Sequence, residues 1–370
     1  MNPPFRAEHI GSFIRPPELL HARGEHAAGR LSDGELRAAE DAAIRDFVAL
    51  QRRLGFRVAT DGEFRRSTYT ANFTTSGLTG VVAEQTGEGE WSYQDASGHK
   101  ERGRLPAVNA RIRWNASRNA DEFSFLKSVA GATPKITLPG PCYIHFRAGR
   151  ARISREVYPD LADFWSDLVA AYEIELAKLA EAGCRYVQLD ETSIAKLGDP
   201  KIRNALAARG DEWEALLDTY IATINAIVKR APKHMRIGMH LCRGNRMGHW
   251  QAEGGYDLVA EKVFRDLAID FFFLEYDSER AGTFEPLKSV PEHKSIVLGL
   301  VSTKVPELES MERLEARIRD CARYVGFERL GISPQCGFSS SDKSNKIMSV
   351  ERAAEKLALV VDVARKVWRD

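Results

Sequence analysis

Short apolar runs alternate with long amphipathic stretches along this chain of 370 residues, and this alternation restricts the fold more than any other feature. Eight runs are rich in β-branched or aromatic residues, and each is followed by a helical pattern or a loop. They lie near residues 5–12, 57–63, 134–141, 184–191, 235–242, 270–277, 295–302 and 329–336. Eight βα units in a chain of this length predict an α/β fold of the TIM (β/α)8 barrel type, with residues 1–370 forming a single catalytic domain.

Helical patterns fill the intervals between these runs. The stretch SDGELRAAEDAAIRDFVALQRRL begins with Ser32, and Glu35 follows three residues later, as in a capping box. Similar patterns run through LADFWSDLVAAYEIELAKLAEAG, DEWEALLDTYIATINAIVKR, VPELESMERLEARIRDCARYVG and VERAAEKLALVVDVARKVWRD. We therefore expect helices to connect the parallel strands.

One connection is much longer than the others. Residues 64–133 contain a polar, glycine-rich stretch whose flanks alternate like two strands around a turn. We interpret this segment as an insertion that contains a hairpin. It leaves the carboxyl end of the second strand, so it could cover a pocket on that face or be a surface elaboration without function.

Composition limits the classes of partner. The chain has 53 basic and 52 acidic side chains, so its balanced charge gives no indication of binding to nucleic acid or to an anionic membrane. Apolar residues make up 44% of the chain, but no uncharged apolar stretch reaches membrane-spanning length and the start shows no secretion signal. Five scattered cysteines, an odd number, favour reduced thiols in the cytoplasm over a disulfide framework.

Polar and reactive residues collect where the predicted strands end. Substrates of a (β/α)8 barrel bind at the carboxyl ends of its strands, so these side chains are candidates for a site. They are His9, Gly11 and Ser12 from the first strand, Asp61 and Glu63 from the second, Asp190 and Glu191 from the fourth, His240 and Cys242 from the fifth, Glu275 and Asp277 from the sixth, and Gln335 and Cys336 from the eighth.

Four of these residues have the chemistry of zinc ligands. His240 and Cys242 are two residues apart at a strand end, so their side chains lie on the same side of the strand. Cys336 and Glu275 lie at or near the carboxyl ends of two other predicted strands. One nitrogen, two sulfurs and a carboxylate oxygen suit Zn²⁺.

Several assignments stay open at this point. Asp277 could replace Glu275, because both face the same side of the sixth strand. The other imidazoles rank second as ligands, and the other cysteines are interpreted as core residues: His9, His145 and His249, and Cys142, Cys184 and Cys321.

The charged residues around the predicted ligands also have two interpretations. Asp190 and Glu63 could contact a substrate or form ion pairs with arginines at the rim of the barrel. A group of arginines could hold an anionic substrate group or be exposed to solvent: Arg65, Arg66, Arg243 and Arg246.

A set of motifs resembles a known family. IGSF, DGEF, YVQLDE, MHLC, FLEYDS and SPQCGF occur in this order over nearly the whole chain, and they resemble the zinc-bearing catalytic barrel of cobalamin-independent methionine synthase. The longer members carry a further amino-terminal barrel, so the sequence is similar to the single-barrel branch.

The resemblance implies a role for each matching residue. The zinc ligands would be His240, Cys242, Glu275 and Cys336. The homocysteine-binding positions would be Ile10, Gly11, Ser12, Glu63 and Asp190, with Glu275 and Asp190 as catalytic residues. Two carboxylates at the rim of the pocket suit the α-amino group of an amino acid.

Two departures from the family pattern concern the methyl donor. The family's transfer histidine aligns with Val301, next to Ser302, and its folate-stacking tryptophan aligns near Arg147. Both positions lie on the side of the donor, so the donor is left open among a folate, a corrinoid protein and an S-methyl compound.

The ligand chemistry predicts the reaction class. Only the thiolate of a thiol attacks carbon effectively, and zinc stabilises that form near neutral pH. Two thiolates and a carboxylate make the metal a weak Lewis acid, which favours alkyl transfer to sulfur over hydrolysis. We expect methyl transfer to homocysteine; the alternatives are alkyl transfer to another thiol such as coenzyme M, and a non-catalytic zinc protein. A homo-oligomer is possible.

Overall fold

A six-stranded parallel sheet lies at the centre of the fold. The computed structural model describes residues 3–85, 93–94, 100–101, 104–246, 248–341 and 347–369. Its strands are β1 (Val58–Ala59), β2 (Leu78–Gln85), β3 (Tyr93–Gln94), β4 (Lys100–Glu101), β5 (Arg104–Trp114), β6 (Thr133–Pro134), β7 (Ile136–Pro139), β8 (Tyr186–Glu191), β9 (Arg236–Leu241), β10 (Phe271–Glu275), β11 (Ser295–Val301) and β12 (Leu330–Pro334). The central sheet has the strand order β7-β8-β9-β10-β11-β12. Its parallel strands, joined by helices, confirm the predicted α/β class.

Further parallel pairing extends this sheet at both edges. β1 pairs with β6, which continues into β7, and the Lys135 amide donates to the Ala59 carbonyl at 2.8 Å. At the other edge Ala7 bridges Ile332 of β12, and the Glu8 amide donates to the Ile332 carbonyl at 2.9 Å. Of the first two predicted strands, the structure therefore contains only a single β-bridge at Ala7 and the two-residue strand β1.

Backbone turns explain why these two predicted strands are short. Gly11 has a φ of 126° and Gly62 a φ of 68°, values outside the β region. Glu63 follows with a φ of 57°, which is uncommon for a residue with a side chain. The predictions of strands over 5–12 and 57–63 were wrong in extent, and neither segment could continue as a strand through its glycine.

Ten α-helices are assigned in the described part of the chain: α1 (Pro17–Ala27), α2 (Asp33–Leu54), α3 (Asn119–Val129), α4 (Tyr143–Ala148), α5 (Leu161–Glu181), α6 (Pro200–Ala208), α7 (Trp213–Arg230), α8 (Ala260–Asp266), α9 (Met311–Cys321) and α10 (Val350–Trp368). The predicted capping box of α2 is confirmed, because the Glu35 amide donates to the Ser32 hydroxyl at 3.3 Å and the Ser32 amide to the Glu35 carboxylate at 2.8 Å. Among the described residues, none of the helices combines the length and the apolar character that crossing a membrane requires.

The core lies between the sheet and the helices. Every residue of β10 is buried, from Phe271 to Glu275, as expected for a parallel strand covered on both faces. Leu168 and Leu176 of α5 and Ile224 of α7 are also fully buried. The polar residues of the site therefore stand at the ends of strands whose lengths are packed in apolar surroundings.

The segment 64–133 contains an antiparallel pair, β2 with β5, and the helix α3. The register shifts between Thr79 and Val81, where Gly80 has a φ of 79°. Residues 86–92, 95–99 and 102–103, which include much of the predicted turn region, lie outside the described residues. Two antiparallel pairs, β2 with β5 and β3 with β4, are thus present within the predicted insertion, whereas the residues that connect these four strands are not described.

Candidate metal and substrate site

Three of the four predicted metal ligands lie together at the carboxyl ends of the strands. His240 is in β9, Cys242 follows this strand directly, and Cys336 follows β12. One ligand atom from each residue lies within 4.8 Å of the other two, and the two sulfurs are 3.6 Å apart. The alternation of a β-strand brings the imidazole and the first thiol to one side, and the parallel sheet brings the second thiol to the same end.

The ring of His240 is oriented by a backbone contact. Its Nδ1 lies 3.3 Å from the carbonyl oxygen of Phe273, so a proton on Nδ1 can be donated there. Its buried Nε2 has no conventional hydrogen-bond partner among the described residues. This arrangement leaves the Nε2 lone pair free for a metal ion, as in other metal-binding histidines whose second nitrogen is held by a carbonyl.

The two thiols differ in acidity. The thiol of Cys336 donates to the sulfur of Cys242 and, with His240, lowers the pKa of Cys242 well below its ordinary value. The same contact and burial raise the pKa of Cys336. Burial lowers the pKa of His240, but the Cys242 sulfur and nearby carboxylates outweigh burial, so the net shift is upward.

This donor set fits zinc. In a tetrahedral site with zinc–sulfur bonds of about 2.3 Å, two sulfurs stand about 3.8 Å apart, close to the 3.6 Å between Cys242 and Cys336. The unpartnered Nε2 of His240 supplies a third ligand of the type that zinc prefers. The three residues therefore form a candidate zinc site with room for a further ligand.

Glu275 lies beside this group but is not part of it. Its Oε1 is 3.3 Å from the Nζ of Lys304, and its Oε2 accepts the backbone N–H of Arg243 at 2.9 Å. Burial raises the pKa of Glu275, but the positive charges of Lys304 and Arg243 outweigh burial, so the net shift of its pKa is downward. The role of Glu275 as a fourth ligand stays a prediction.

Asp277, the alternative to Glu275 as a metal ligand, contacts other residues. Asp277 accepts the hydroxyl of Ser302 at 2.7 Å and lies 3.6 Å from Arg280. It lines a second cavity of about 580 Å³ and does not line the cavity that contains the thiols.

A cavity of about 720 Å³ opens beside the candidate metal site. Most of the predicted site residues line it: Ile10, Ser12, Glu63, Asp190, His240, Cys242 and Cys336. Gly11 lies behind this wall, where a Cβ would stand 2.6 Å from the Cγ2 of Thr137. Leu105 and Pro106 of β5 also line the cavity, so the segment 64–133 forms part of its wall.

The two predicted amine-binding carboxylates lie on the wall of this cavity. Glu63 accepts the hydroxyl of Thr137 at 2.8 Å, and Asp190 accepts the amide of Gln188 at 2.7 Å. Burial raises the pKa of Asp190 to about 7, with His240 opposing this shift and Glu63 adding to it. Among the described residues, neither carboxylate forms a close bidentate pair with an arginine, and Arg66 lies 3.9 Å from Glu63.

Comparison with known proteins identifies the family. Residues 5–366 match the family described as "Cobalamin-independent synthase, Catalytic domain". This chain belongs to that family. Curated relatives of this chain carry the names methionine synthase and 5-methyltetrahydropteroyltriglutamate–homocysteine methyltransferase, which supports an enzyme family.

Individual relatives match over nearly their whole lengths. The Bacillus subtilis protein named "Uncharacterized protein YxjH" is 38% identical, covering 99% of this chain and 95% of the relative. The methionine synthase of Saccharolobus solfataricus is 26% identical over 97% of this chain and 93% of its own. The crystal structure of the putative vitamin-B12 independent methionine synthase from Listeria monocytogenes has 33% identity and a TM-score of 0.78, covering 99% and 98% of the two chains.

The predicted arginine cluster does not form in this member of the family. Arg66 donates to Thr137 and lies near Glu63, and Arg243 donates to the carbonyl of Gly254 at 2.7 Å. Arg65 pairs with Asp41 at 2.5 Å, and only Arg246 of the four lines the cavity. The guanidinium groups of Arg65, Arg66 and Arg243 thus contact other groups of the protein, as buried hydrogen-bond donors generally do.

The competing histidines lie outside the metal group. His9 bonds Gln51 at 2.9 Å, and burial lowers its pKa to about 3. His145 lies 3.1 Å from the hydroxyl of Tyr220, and His249 lies 2.9 Å from the carbonyl of Arg246. Each contact gives the ring a hydrogen-bonding role within the protein.

Two buried lysines near the site, Lys196 and Lys304, were not predicted from the sequence. Lys196 lines the cavity and donates to Gln251 at 2.7 Å, and burial together with Arg147 lowers its pKa to about 7. Lys304 follows β11 and reaches Glu275, whereas Val301, aligned above with the family's transfer histidine, is fully buried in the strand. Their positions a few residues beyond β8 and β11 were the only signal that the sequence offered.

Proposed function

We propose that this chain is a zinc-dependent methyltransferase that moves a methyl group to the thiol of homocysteine and gives methionine. The observation that carries the proposal is the His240, Cys242 and Cys336 group, which shares one cavity with Glu63 and Asp190. A thiol-binding metal site and two carboxylates suited to an ammonium group together match an amino acid that carries a thiol.

The residues have separate tasks in this proposal. His240, Cys242 and Cys336 would hold zinc, with Glu275 as the expected fourth ligand. When bound, zinc supplies positive charge that keeps the substrate sulfur in its nucleophilic thiolate form. The backbone of β9 and the Phe273 carbonyl fix the imidazole, so the ligand atoms are arranged before the metal binds.

The substrate amino acid would be held by the opposite part of the cavity. Glu63 and Asp190 would bind the α-amino group. Ser12 and the backbone around Ile10 and Gly11 would contact the rest of the amino acid. Exclusion of water by the wall from β5 would favour methyl transfer over hydrolysis of the donor.

The methyl donor would enter through the remaining part of the cavity. A folate, a corrinoid protein and an S-methyl compound stay open as donors, and a homo-oligomer stays open as the assembly. A thiol with a sulfonate group, such as coenzyme M, is the second candidate acceptor, because Lys196 and Arg147 are buried cations on the cavity wall.

We also propose that the fold closes into a (β/α)8 barrel. The support is the pairing at both sheet edges: β1 with β6, and Ala7 with Ile332. The Phe13 amide also donates to the Gly62 carbonyl at 3.0 Å, which links the two short segments to each other. A crystal structure in which these segments splay apart would contradict closure.

The function is tested by incubating the zinc-loaded protein with homocysteine and each class of methyl donor. We expect methionine, measured by mass spectrometry, from at least one donor in the wild type and none from Cys336→Ala. Coenzyme M in place of homocysteine tests the second acceptor in the same assay. Failure to form methionine with every donor, together with methylated coenzyme M, would assign the second candidate.

A further inference from the structure

Two buried cations lie on the wall of the cavity, in addition to the predicted metal ligands and the two carboxylates. Lys196 is 1% exposed and follows β8, whereas Arg147 is 3% exposed and belongs to α4, which follows β7. Both side chains line the cavity. Because β7 and β8 are parallel neighbours in the sheet, the segments that follow them stand side by side at the end that carries the thiols.

The ammonium group of Lys196 is held by neutral groups. It donates to the side-chain carbonyl of Gln251 at 2.7 Å and lies 5.5 Å from the centre of the Phe146 ring. Within the described parts of the chain, no carboxylate forms an ion pair with it. An ammonium group has three N–H donors, so donors are available to a ligand in the cavity.

The two cations repel each other, and burial removes them from water. A buried charge is stable only beside an opposite charge or several hydrogen bonds. Burial, followed by the like charge of Arg147, lowers the pKa of Lys196 to about 7. An anion bound to the two cations would oppose both effects and keep the ammonium group charged. This part of the wall is therefore suited to an acidic group of a ligand.

The backbone connects this part of the wall to the predicted metal ligands. Gln251, which accepts the Lys196 ammonium, donates its backbone N–H to the carbonyl of Arg243 at 3.0 Å. Arg243 directly follows Cys242 in the chain. An acid at Lys196 would therefore lie close to the substrate sulfur, so only a few bonds could separate that acid from the transferred methyl group.

We propose that Lys196 and Arg147 bind the acid of a methyl donor that is a small methylsulfonium compound with a carboxylate or sulfonate group. This inference rests on the proposed function and selects one of its three donor classes. The positive sulfonium would face the thiols and the acid would face the two cations, so the charges of donor and cavity are complementary. A folate is less suited, because its ring system separates its carboxylates from its methyl group by many bonds.

The transfer step balances for such a donor. The thiol of homocysteine releases its proton before the attack, and an electron pair of the thiolate forms the new sulfur–carbon bond. The bond between the methyl carbon and the sulfonium breaks, and its electron pair stays on the donor sulfur. The donor leaves as a neutral thioether that still carries its acid.

Binding of the expected thioether product tests this subsite without methyl transfer. The probes are 3-(methylthio)propanoate and its neutral amide, which have nearly the same shape, and calorimetry with the zinc-loaded protein gives both affinities. We expect the wild type to bind the acid at least about 10-fold more tightly than the amide. Lys196→Met should bind the two within about twofold of each other, and Lys196→Arg should retain the preference for the acid.

Two further variants separate this effect from a loss of structure. Arg147→Gln should lower the preference for the acid by about threefold or more. Lys294→Met removes another buried lysine, whose ammonium donates to the Phe264 carbonyl at the opposite end of β11, and should prefer the acid as the wild type does. Thermal melting identifies any variant that does not fold. If Lys196→Met does not fold, an unchanged preference in both Arg147→Gln and Lys196→Gln would overturn the proposal.

The acceptor also carries an acid, so its binding is measured in the same way. The affinity for homocysteine should change by less than about twofold in Lys196→Met. A fall of about 10-fold, or a preference for coenzyme M over homocysteine that Lys196→Met loses, would overturn the donor assignment and give the subsite to the acceptor.

Methionine formation distinguishes this inference from the proposed function. With homocysteine, dimethylsulfoniopropionate should give a kcat/KM at least about 10-fold above that of trimethylsulfonium, which lacks the acid. Equal rates from the two sulfonium compounds, methionine from a folate alone, or equal affinities of the wild type for acid and amide would overturn the inference and leave the proposed function in place. No methionine from any donor class would overturn the proposed function, even where the probes confirm that the subsite binds an acid.

Discussion

Asymmetry between the two thiols is the main chemical feature of the site at the scale of single residues. Cys242 is the stronger acid of the pair and accepts both the Cys336 thiol and the Gly244 amide, the latter at 3.2 Å. The Gly244 amide is thus a second donor to the Cys242 sulfur, besides the Cys336 thiol.

Removing one ligand should abolish metal binding. We expect His240→Ala and Cys336→Ala to lower zinc affinity by more than about 100-fold, since each removes one of three convergent donors. Zinc content by mass spectrometry after dialysis measures the effect. Cys321→Ala, which alters a buried thiol of α9 outside the metal group, is the control and should retain zinc. Full zinc content in Cys336→Ala would contradict the assignment.

Asp190 should make ligand binding depend on pH. Its pKa is raised from 3.8 to about 7 by burial, so its charged form increases from about one tenth to nine tenths between pH 6 and pH 8. A ligand ammonium is attracted only by that form. The affinity for methionine, whose thioether releases no proton on binding, should therefore rise about 10-fold over this interval.

Calorimetry with two variants checks this pH dependence. Asp190→Asn should bind methionine more weakly and with a flat profile. Asp218→Asn, which alters an exposed carboxylate of α7, should keep the profile of the wild type. A rise of equal size in Asp190→Asn would show that another group titrates.

The sequence predicted different residues of the site to different degrees. Alternation within MHLC indicated that His240 and Cys242 face one side, and the structure brings them together with Cys336. Lys304 was not predicted, because its direction depends on the turn at Ser302 and Thr303, and strand periodicity says nothing about such turns. The ion pair between Lys304 and Glu275 was not predicted for the same reason.

At the scale of elements, the strands that the sequence predicted best are those with uninterrupted apolar runs. The stretch from Phe271 to Glu275 is buried at every position, and the predicted strand 270–277 contains it. The segment 5–12 also has apolar residues, but Gly11 turns the backbone and one bridge remains. A glycine that adopts a positive φ cannot be distinguished in sequence from one that continues a strand.

Gly11→Ala should destabilise the protein and weaken ligand binding. An added Cβ would meet Thr137 at 2.6 Å, and the φ of 126° is strained for any side chain. We expect a loss of about 2–4 kcal/mol in the free energy of unfolding, from strain and overpacking together. Denaturant titration followed by circular dichroism, with methionine calorimetry alongside, measures both effects.

Gly34→Ala is the matched control for this change. Gly34 lies in α2 with nothing within 4 Å of the position of a new Cβ. Alanine is the better helix former, so this variant should be about 0.5–1 kcal/mol more stable than the wild type. Equal stability of the two variants would show that the conformation at Gly11 is not constrained.

For the whole molecule, the number of βα units was sufficient to predict the α/β fold class. It did not predict how the strands pair at the two edges of the sheet. Parallel order follows from the alternation of strands and helices, since a helix returns the chain to the starting end of the sheet. The edge at Ala7 depends on only a few backbone hydrogen bonds to β12, and the sequence carries no pattern for so short a ladder. Residues distant along the chain nevertheless converge, as the sequence separation of 94 between Cys242 and Cys336 illustrates.

This convergence connects ligand binding to the stability of the entire chain. Cys242 follows β9, Cys336 follows β12 and Asp190 ends β8, so the complete site exists only when these strands are assembled. A ligand at about 100 times its Kd stabilises the folded state by about 2.7 kcal/mol. An unfolding entropy of about 2.1 cal/mol/K per residue converts this energy into a rise in Tm of about 3–4 °C for a chain of 370 residues.

We therefore expect homocysteine at that concentration to raise the Tm of the zinc-loaded protein by about 3–4 °C in scanning calorimetry. The metal-free protein should respond less, because the thiol then has no metal partner and only Glu63 and Asp190 attract the amine. Methionine should stabilise both forms to a similar extent, since its sulfur carries no ionisable proton. A homocysteine shift of the same size with and without zinc would show that the amino acid binds through its ammonium group alone, and the metal would then have no part in recognising the thiol.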